Sequence, residues 1–140
     1  MLYLDTSALL PYYRQEAHSP AIQRLLLRGD RPVLISDLTR LEFASALSRW
    51  VRMHEVEERH AQRLSRAFDD DIKANRYTLC RNTLEHTDLA RQWLLARNTS
   101  LRTLDALHLA CAATEEAILV TLDGALHAAA IGLGIKVHDL

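Results

Sequence analysis

The sequence predicts a three-layer α/β/α sandwich, in which helices cover both faces of a mainly parallel sheet of four or five strands. Short apolar runs alternate with longer segments in which apolar residues recur every three or four positions. Parallel strands require long crossover connections, and helices supply them. The 140 residues contain no Pro-, Gly- or Ser-rich linker and no internal repeat, so we expect a single domain over residues 1–140.

The predicted strands are short apolar runs of the kind that a buried sheet contains. They are Leu2–Leu4, Val33–Ile35, Tyr77–Leu79 and Ile118–Thr121, with a fifth predicted at Lys136–His138. The crossover segments between them have helical spacing.

Two adjacent helices are predicted at about 38–53 and 55–75, between the second and third strands. They predict a projecting helical hairpin with His54 near its turn. His60 interrupts the apolar stripe of the second helix, and we interpret it as a core residue.

Composition indicates a soluble protein. Hydrophobic residues make up 49% of the chain and charged residues 25%, and no apolar run is long enough to span a bilayer. The N-terminal segment holds Asp5 and lacks a basic lead, so we expect no export. Cys80 and Cys111 form no CxxC motif and are expected to be small core residues in a cytoplasmic protein. A net charge of -1 does not by itself indicate nucleic-acid binding.

Acidic residues follow the predicted strands, where an open parallel sheet binds its ligands. Asp5 closes the first strand and Asp123 follows the fourth. Glu42 lies in the first turns of the helix after the second strand, and Asp105 opens an apolar helix. These four acids are the candidate site.

Each acid also has a structural interpretation. Asp5 and Asp123 can cap helices, Thr39-x-x-Glu42 matches a capping box, and Thr103 can cap the helix that contains Asp105. Capping does not explain why an acid stands at each of these turns, since Ser, Thr and Asn cap equally well. Two carboxylates about 4 Å apart repel by roughly 4 kcal/mol at an effective dielectric of 20, so a convergent cluster calls for a cation. Carboxylate oxygens suit Mg²⁺ or Mn²⁺.

Four segments together resemble the acidic motifs of the PIN-domain family, and most closely its VapC toxin branch. They are Leu4-Asp5-Thr6-Ser7-Ala8-Leu9, the isolated Glu42, Asp105-Ala106-Leu107-His108-Leu109-Ala110 and Thr121-Leu122-Asp123. The resemblance covers nearly the whole chain, down to Gly132-Leu133-Gly134 before the last predicted strand.

The resemblance implies a function and a role for each site residue. It implies an α/β/α sandwich, a Mg²⁺- or Mn²⁺-dependent endoribonuclease, inhibition by a VapB-like antitoxin, and a homodimer. Asp5 and Asp105 would be the principal metal ligands, and Asp123 would complete the metal site. Glu42 would orient or deprotonate the nucleophilic water. Hydroxyl groups would support these acids through hydrogen bonds, namely those of Thr6, Ser7 and Thr121.

Some residues have two interpretations. His108 either touches substrate or a site acid, or is a packed, hydrogen-bonded histidine. The run Asp69-Asp70-Asp71 is interpreted as a solvated helix face, because consecutive helical side chains diverge. Four arginines lie on the predicted hairpin, namely Arg52, Arg59, Arg63 and Arg66. They either bind along an RNA backbone or form ion pairs within the helix, for instance Arg59 with Glu55.

Two other functions are compatible with parts of the sequence. A PIN-like protein without catalysis would serve as a binding module, although the presence of all four acids argues against it. A haloacid dehalogenase-type phosphatase requires DxDxT, but Ser7 stands where the second Asp is needed. An RNA hydrolysis assay with and without EDTA separates a nuclease from either alternative.

Overall fold

Four parallel strands form one sheet in the computed structural model, which describes residues 1–140. The strands are β1 (Leu2–Leu4), β2 (Val33–Ser36), β3 (Thr78–Cys80) and β4 (Ile118–Val120), and their spatial order is β3-β2-β1-β4. The fifth predicted strand is reduced to an isolated bridge between Leu119 and Val137. Only two backbone hydrogen bonds join this segment to the sheet: the Leu119 amide donates to the Lys136 carbonyl, and the His138 amide donates to the Leu119 carbonyl. Two bonds to a single residue do not make a full strand.

Seven helices surround the sheet. They are α1 (Thr6–Tyr13), α2 (Ser19–Arg28), α3 (Asp37–Arg52), α4 (Glu58–Lys73), α5 (Leu84–Ala96), α6 (Thr103–Thr114) and α7 (Gly124–Gly132). None of these helices combines the length and hydropathy needed to cross a membrane. A helix follows every strand, so each connection between parallel neighbours is a helical crossover.

Alternating side chains of β1 divide the core between the two faces of the sheet. Leu2 and Leu4 belong to one cluster, which they share with buried residues of α1, α2, α3 and α4. Tyr3 belongs to the other, with buried residues of α5, α6 and α7. The predicted three-layer α/β/α sandwich is therefore confirmed. Strand β1 is paired on both sides, with β2 and β4, and so lies in the middle of the fold.

Helices α3 and α4 form the predicted hairpin, and His54 at its turn has a left-handed backbone with φ of 57°. Both helices pack on the core, where the rings of Phe43 and Phe68 lie 4.4 Å apart. The interpretation of His60 as a core residue is wrong, because it is exposed. The buried face of α4 instead runs through residues 61, 64 and 68, which turns position 60 toward solvent.

Charged residues of the hairpin are partly engaged with other elements. Asp69 and Asp70 are exposed as predicted, but Asp71 accepts a hydrogen bond of 2.7 Å from the Tyr13 hydroxyl. Glu55 pairs with Arg14 at 2.9 Å rather than with Arg59, because α4 begins only at Glu58 and residue 55 lies in the preceding turn. Helical pairing therefore does not account for Arg59.

Candidate active site

Asp5 directly follows β1, one of the two inner strands, and is 4% exposed. It is the N-cap of α1, since its Oδ1 accepts a hydrogen bond of 2.9 Å from the Ala8 amide. Burial raises the pKa of the Asp5 carboxyl, although hydrogen bonds from Thr121, Ala8 and Ser7 and the charge of His108 favour the ionised form. The capping interpretation of Asp5 is thus correct, and burial makes its carboxylate costly to ionise despite these hydrogen bonds.

Two hydroxyl groups tie Asp5 to the end of the neighbouring strand β4. Thr121 Oγ1 donates to Oδ2 at 2.7 Å, and Ser7 Oγ lies 2.8 and 2.9 Å from the two carboxylate oxygens. Each hydroxyl also accepts from the backbone that follows β4, Ser7 from the Leu122 amide at 2.9 Å and Thr121 from the Asp123 amide at 3.0 Å. The Asp5 carboxylate, the two hydroxyl groups and the two backbone amides are therefore held in one hydrogen-bonded unit.

Asp123 is the N-cap of α7, and its Oδ1 accepts from the Leu126 amide at 2.9 Å. The side chain is partly exposed. This capping role was also predicted, yet the cap uses only one of the two carboxylate oxygens of Asp123. A capping carboxylate therefore retains an oxygen for another ligand.

Glu42 projects from the second turn of α3 and is partly exposed. Thr6 Oγ1 donates to its Oε1 at 2.7 Å, and His108 Nε2 is bonded to the same oxygen. Burial by itself would raise the pKa of Glu42, but the hydrogen bond and charge of His108 and the bond from Thr6 outweigh it and lower the pKa. Glu42 is consequently held as a carboxylate, with both protein bonds on one oxygen.

The predicted capping box at Thr39-x-x-Glu42 is wrong. Strand β2 continues to Ser36, whose Oγ accepts from the Thr39 amide at 3.4 Å and caps α3. The helix therefore starts at Asp37, earlier than the box requires. Glu42 lies beyond the first turn and caps nothing.

Asp105 is the third residue of α6. Its Oδ2 accepts from the Arg102 amide at 3.3 Å and lies 3.9 Å from the exposed guanidinium of the same residue. Thr103 is not the cap that was predicted, because the helix begins with Thr103 itself and Arg102 occupies the N-cap position. No hydrogen bond joins the Asp105 carboxylate to the other three acids, and it lies one helical turn before His108.

The site contains little positive charge. Within 4.0 Å, the basic groups that approach the four acids are His108 at Glu42 and Arg102 at Asp105. Neither Asp5 nor Asp123 has a Lys or Arg partner, although Asp5 is almost fully buried. Carboxylate and hydroxyl oxygens without a cationic side chain are the ligand set that a hard divalent cation prefers. The oxygens at Asp5 and Asp123 therefore fit a hard divalent cation.

His108 satisfies both interpretations that its position allowed. It is 3% exposed and packed, and it touches a site acid, Glu42. Its other ring nitrogen, Nδ1, lies 2.8 Å from the hydroxyl of Tyr3, a residue that the sequence did not identify. The sequence signal that could have identified Tyr3 is its hydroxyl group, which stands on the middle residue of an otherwise aliphatic strand.

A second group of metal-binding residue types lies away from the acids. Ligand atoms of Cys80, His86 and Cys111 are within 4.8 Å of one another. Both ring nitrogens of His86 are already used, Nδ1 by the Thr83 amide at 3.0 Å and Nε2 by Thr114 Oγ1 at 2.8 Å. Burial raises the pKa of the Cys111 thiol to about 12 and also raises that of Cys80, which keeps both sulfurs protonated. The cysteines are core residues, as predicted.

Comparisons with known proteins bear on the family and the fold of the chain. The family model for the PIN domain matches residues 2–132. No curated protein matches the chain significantly.

Solved structures of similar fold include toxins and toxin complexes. VapC20 of Mycobacterium tuberculosis, a toxin that cleaves the sarcin-ricin loop, is 19% identical with a TM-score of 0.69 over 92% of this chain and 95% of that one. VapBC2 of Rickettsia felis, bound to promoter DNA, is 20% identical with a TM-score of 0.62 over 88% of each chain. A toxin-antitoxin complex of Klebsiella pneumoniae is 18% identical with a TM-score of 0.56 over 88% and 87%. At these identities the likeness is one of fold.

The raised pKa of Asp5 predicts a specific pH dependence of stability in metal-free buffer. A carboxyl with a raised pKa in the folded state stabilises the fold below its unfolded pKa, and this contribution is lost as the pH rises through the folded pKa. The free energy of unfolding of wild type relative to Asp5→Asn should therefore fall as the pH is raised from about 4 to about 7. Urea denaturation of both proteins measures it.

The lowered pKa of Glu42 acts in the opposite direction, but it is common to both proteins and cancels in the difference. Asp88→Asn, at an exposed position of α5, is the matched control and should show no pH-dependent difference. A stability difference between wild type and Asp5→Asn that stays constant across this range would contradict the raised pKa of Asp5.

Proposed function

Because this chain belongs to the PIN domain family, we propose that it is a divalent-metal-dependent endoribonuclease of the VapC type, the toxin of a toxin-antitoxin pair. Proteins of this family are nucleases. The observation that carries the proposal is the group of acids at the ends of β1 and β4, in which a buried Asp5 has hydroxyl partners but no cationic side chain.

Three carboxylates would hold the metal, those of Asp5, Asp105 and Asp123. Their donor set consists of hard oxygens, and Asp123 has an oxygen that its helix cap does not use. A bound Mg²⁺ or Mn²⁺ ion would polarise the scissile phosphodiester and lower the pKa of the attacking water. It would also relieve the cost of ionising Asp5.

Glu42 would act on the attacking water. Its lowered pKa keeps it ionised, so it can accept a hydrogen bond or a proton. Thr6 and His108 both bind Oε1, which leaves Oε2 as the oxygen for the water. A fixed carboxylate contributes orientation, because a water that is held in line with the phosphorus atom needs no further ordering in the transition state.

The three hydroxyl residues would support the site. Ser7 and Thr121 fix both oxygens of Asp5 and bind the backbone amides of residues 122 and 123. Thr6 fixes Glu42. Consecutive residues at the start of α1 thus reach two different acids, which sets the spacing of the metal ligand and the water-binding carboxylate.

A VapB-like antitoxin and a second copy of the chain are the proposed protein partners, with RNA as the substrate. One of the similar structures is described as a toxin-antitoxin complex, and another as VapBC2 bound to a fragment of its promoter DNA. An anionic site that engages RNA only through a cation is open to blockage by a basic side chain. We expect the antitoxin to place an Arg or Lys beside the acids and the toxin to form a homodimer.

Replacing a metal-binding acid by its amide should nearly abolish RNA cleavage without unfolding the protein. Asp5→Asn and Asp105→Asn remove charge while keeping the shape of the side chain. Initial rates of cleavage of mixed single-stranded and structured RNA, measured with Mn²⁺ and with EDTA, test this. A folded variant that retains more than about a tenth of the wild-type rate loses less than about 1.4 kcal/mol of transition-state stabilisation, too little for a principal ligand. Asp88→Asn is the exposed control and should cleave as wild type does.

Metal binding should raise the melting temperature of wild type. A ligand that binds only the folded state at about 100 times its Kd contributes roughly 2.7 kcal/mol. Thermal melting in EDTA and in Mn²⁺ should show this shift for wild type and a much smaller shift for Asp5→Asn. Equal melting of wild type in both buffers would contradict the proposed metal site.

The antitoxin should protect the acids directly. A structure or a hydrogen-exchange map of the complex should show a basic side chain at the acids and reduced solvent access there. An inhibited complex in which all four carboxylates stay open to solvent would contradict direct blockade.

A further inference from the structure

A buried chain of hydrogen bonds reaches Glu42 from the centre of the sheet. The Tyr3 hydroxyl lies 2.8 Å from His108 Nδ1, and His108 Nε2 is bonded to Glu42 Oε1. Tyr3 is 0% exposed and His108 is 3% exposed. The chain joins three elements, since Tyr3 belongs to β1, His108 to α6 and Glu42 to α3. The proposed metal ligands take no part in it.

The chemistry of the partners fixes the direction of these bonds. An ionised carboxylate can only accept, so His108 Nε2 must carry a hydrogen and donate it to Glu42. In the neutral imidazole Nδ1 is then the acceptor, and the Tyr3 hydroxyl donates to it. In the protonated imidazole Nδ1 donates to the Tyr3 oxygen instead. Tyr3 therefore accommodates either form, and Nε2 presents a hydrogen to Glu42 in both.

Strand β1 makes Tyr3 a rigid anchor for this arrangement. Its backbone is paired with β2 on one side and with β4 on the other. The rings of Tyr3 and His108 also meet edge to face, with centroids 5.9 Å apart. The position of the His108 imidazole is thereby set by the sheet and not by the partly exposed Glu42.

We propose that His108, anchored by Tyr3, is a positioning residue that fixes Glu42 through Oε1 and so reserves Oε2 for the attacking water. This role rests on the proposed nuclease function. A free Glu side chain would lose rotamer entropy on reaching a productive position, and two donors on Oε1 remove that loss before substrate binds. Thr6 is the second donor, from the opposite layer of the sandwich.

The other buried histidine shows what a purely structural role looks like here. His86 bonds Thr83, which precedes its own helix, and Thr114 of α6, and it bonds no acid. His108 instead contacts a carboxylate that lies 66 positions away in sequence. The difference between the two histidines is the carboxylate partner, and the proposal depends on that partner.

Three substitutions separate positioning from packing. His108→Leu removes both nitrogens, His108→Gln retains an N–H donor, and Tyr3→Phe removes only the anchoring hydroxyl. Hydrogen bonds to charged groups predict a fall in kcat of about 10- to 100-fold for His108→Leu, with KM little changed. His108→Gln should recover about tenfold of this loss, and Tyr3→Phe should lower kcat by about three- to tenfold.

The decisive measurement is a double-mutant cycle with Glu42→Ala, using single-turnover cleavage in saturating Mn²⁺. If His108 acts through Glu42, then His108→Leu should change the rate by less than about twofold once Glu42 is already Ala. Mn²⁺ affinity, measured by calorimetry on the same proteins, should stay within about twofold of wild type for His108→Leu. If His108→Leu fails to fold, His108→Gln and Tyr3→Phe replace it in the cycle with Glu42→Ala.

Matched controls lie outside the chain of hydrogen bonds. They are Tyr12→Phe on α1 and His60→Gln at an exposed position of α4, and both should cleave as wild type does. Independent effects of the His108 and Glu42 substitutions, or a large loss of Mn²⁺ affinity in His108→Leu, would overturn the positioning role alone. A wild-type protein that cleaves no RNA with any divalent metal would overturn the proposed function and this role with it.

Discussion

The hydrogen bond from Thr121 to Asp5 joins the ends of two neighbouring parallel strands, and the arrangement of the site depends on it. It places a carboxylate that is almost out of reach of water against the loop that carries Asp123. The adjacency of β1 and β4 makes this contact possible, although more than a hundred residues separate them in sequence. The crossover helices between them are therefore the means by which distant acids become neighbours.

Capping and metal binding are compatible uses of one carboxylate. Asp5 and Asp123 both accept from a backbone amide in the first turn of a helix, which orients each side chain before any ligand arrives. The positive end of each helix dipole favours the same anionic form. The capping and metal-binding interpretations of these acids, which the sequence presented as alternatives, are therefore compatible with one geometry. Glu42 differs, because side chains from two other elements orient it.

The sequence predicted those features that depend on local pattern. Apolar runs located the four strands within a residue or two, and alternation of strands and helices predicted the layers. The wrong predictions concern helix boundaries and side-chain exposure that tertiary contacts determine. The start of α3 at Asp37 depends on how far β2 stays paired, and the exposure of His60 depends on the rotation of α4 against the core. The contact of Tyr3 with His108 could not be predicted, because it requires α6 to lie over β1.

The use of carboxylates as helix caps has an evolutionary consequence. Asn caps a helix as well as Asp does, and the two are separated by a single nucleotide change. A lineage can therefore lose charge at Asp5 or Asp123 while its helices still start correctly and its core stays packed. Descendants of such a protein would persist as stable folded domains with an altered role, free to be retained for what they bind. In this architecture, loss of chemistry and loss of fold are separable events.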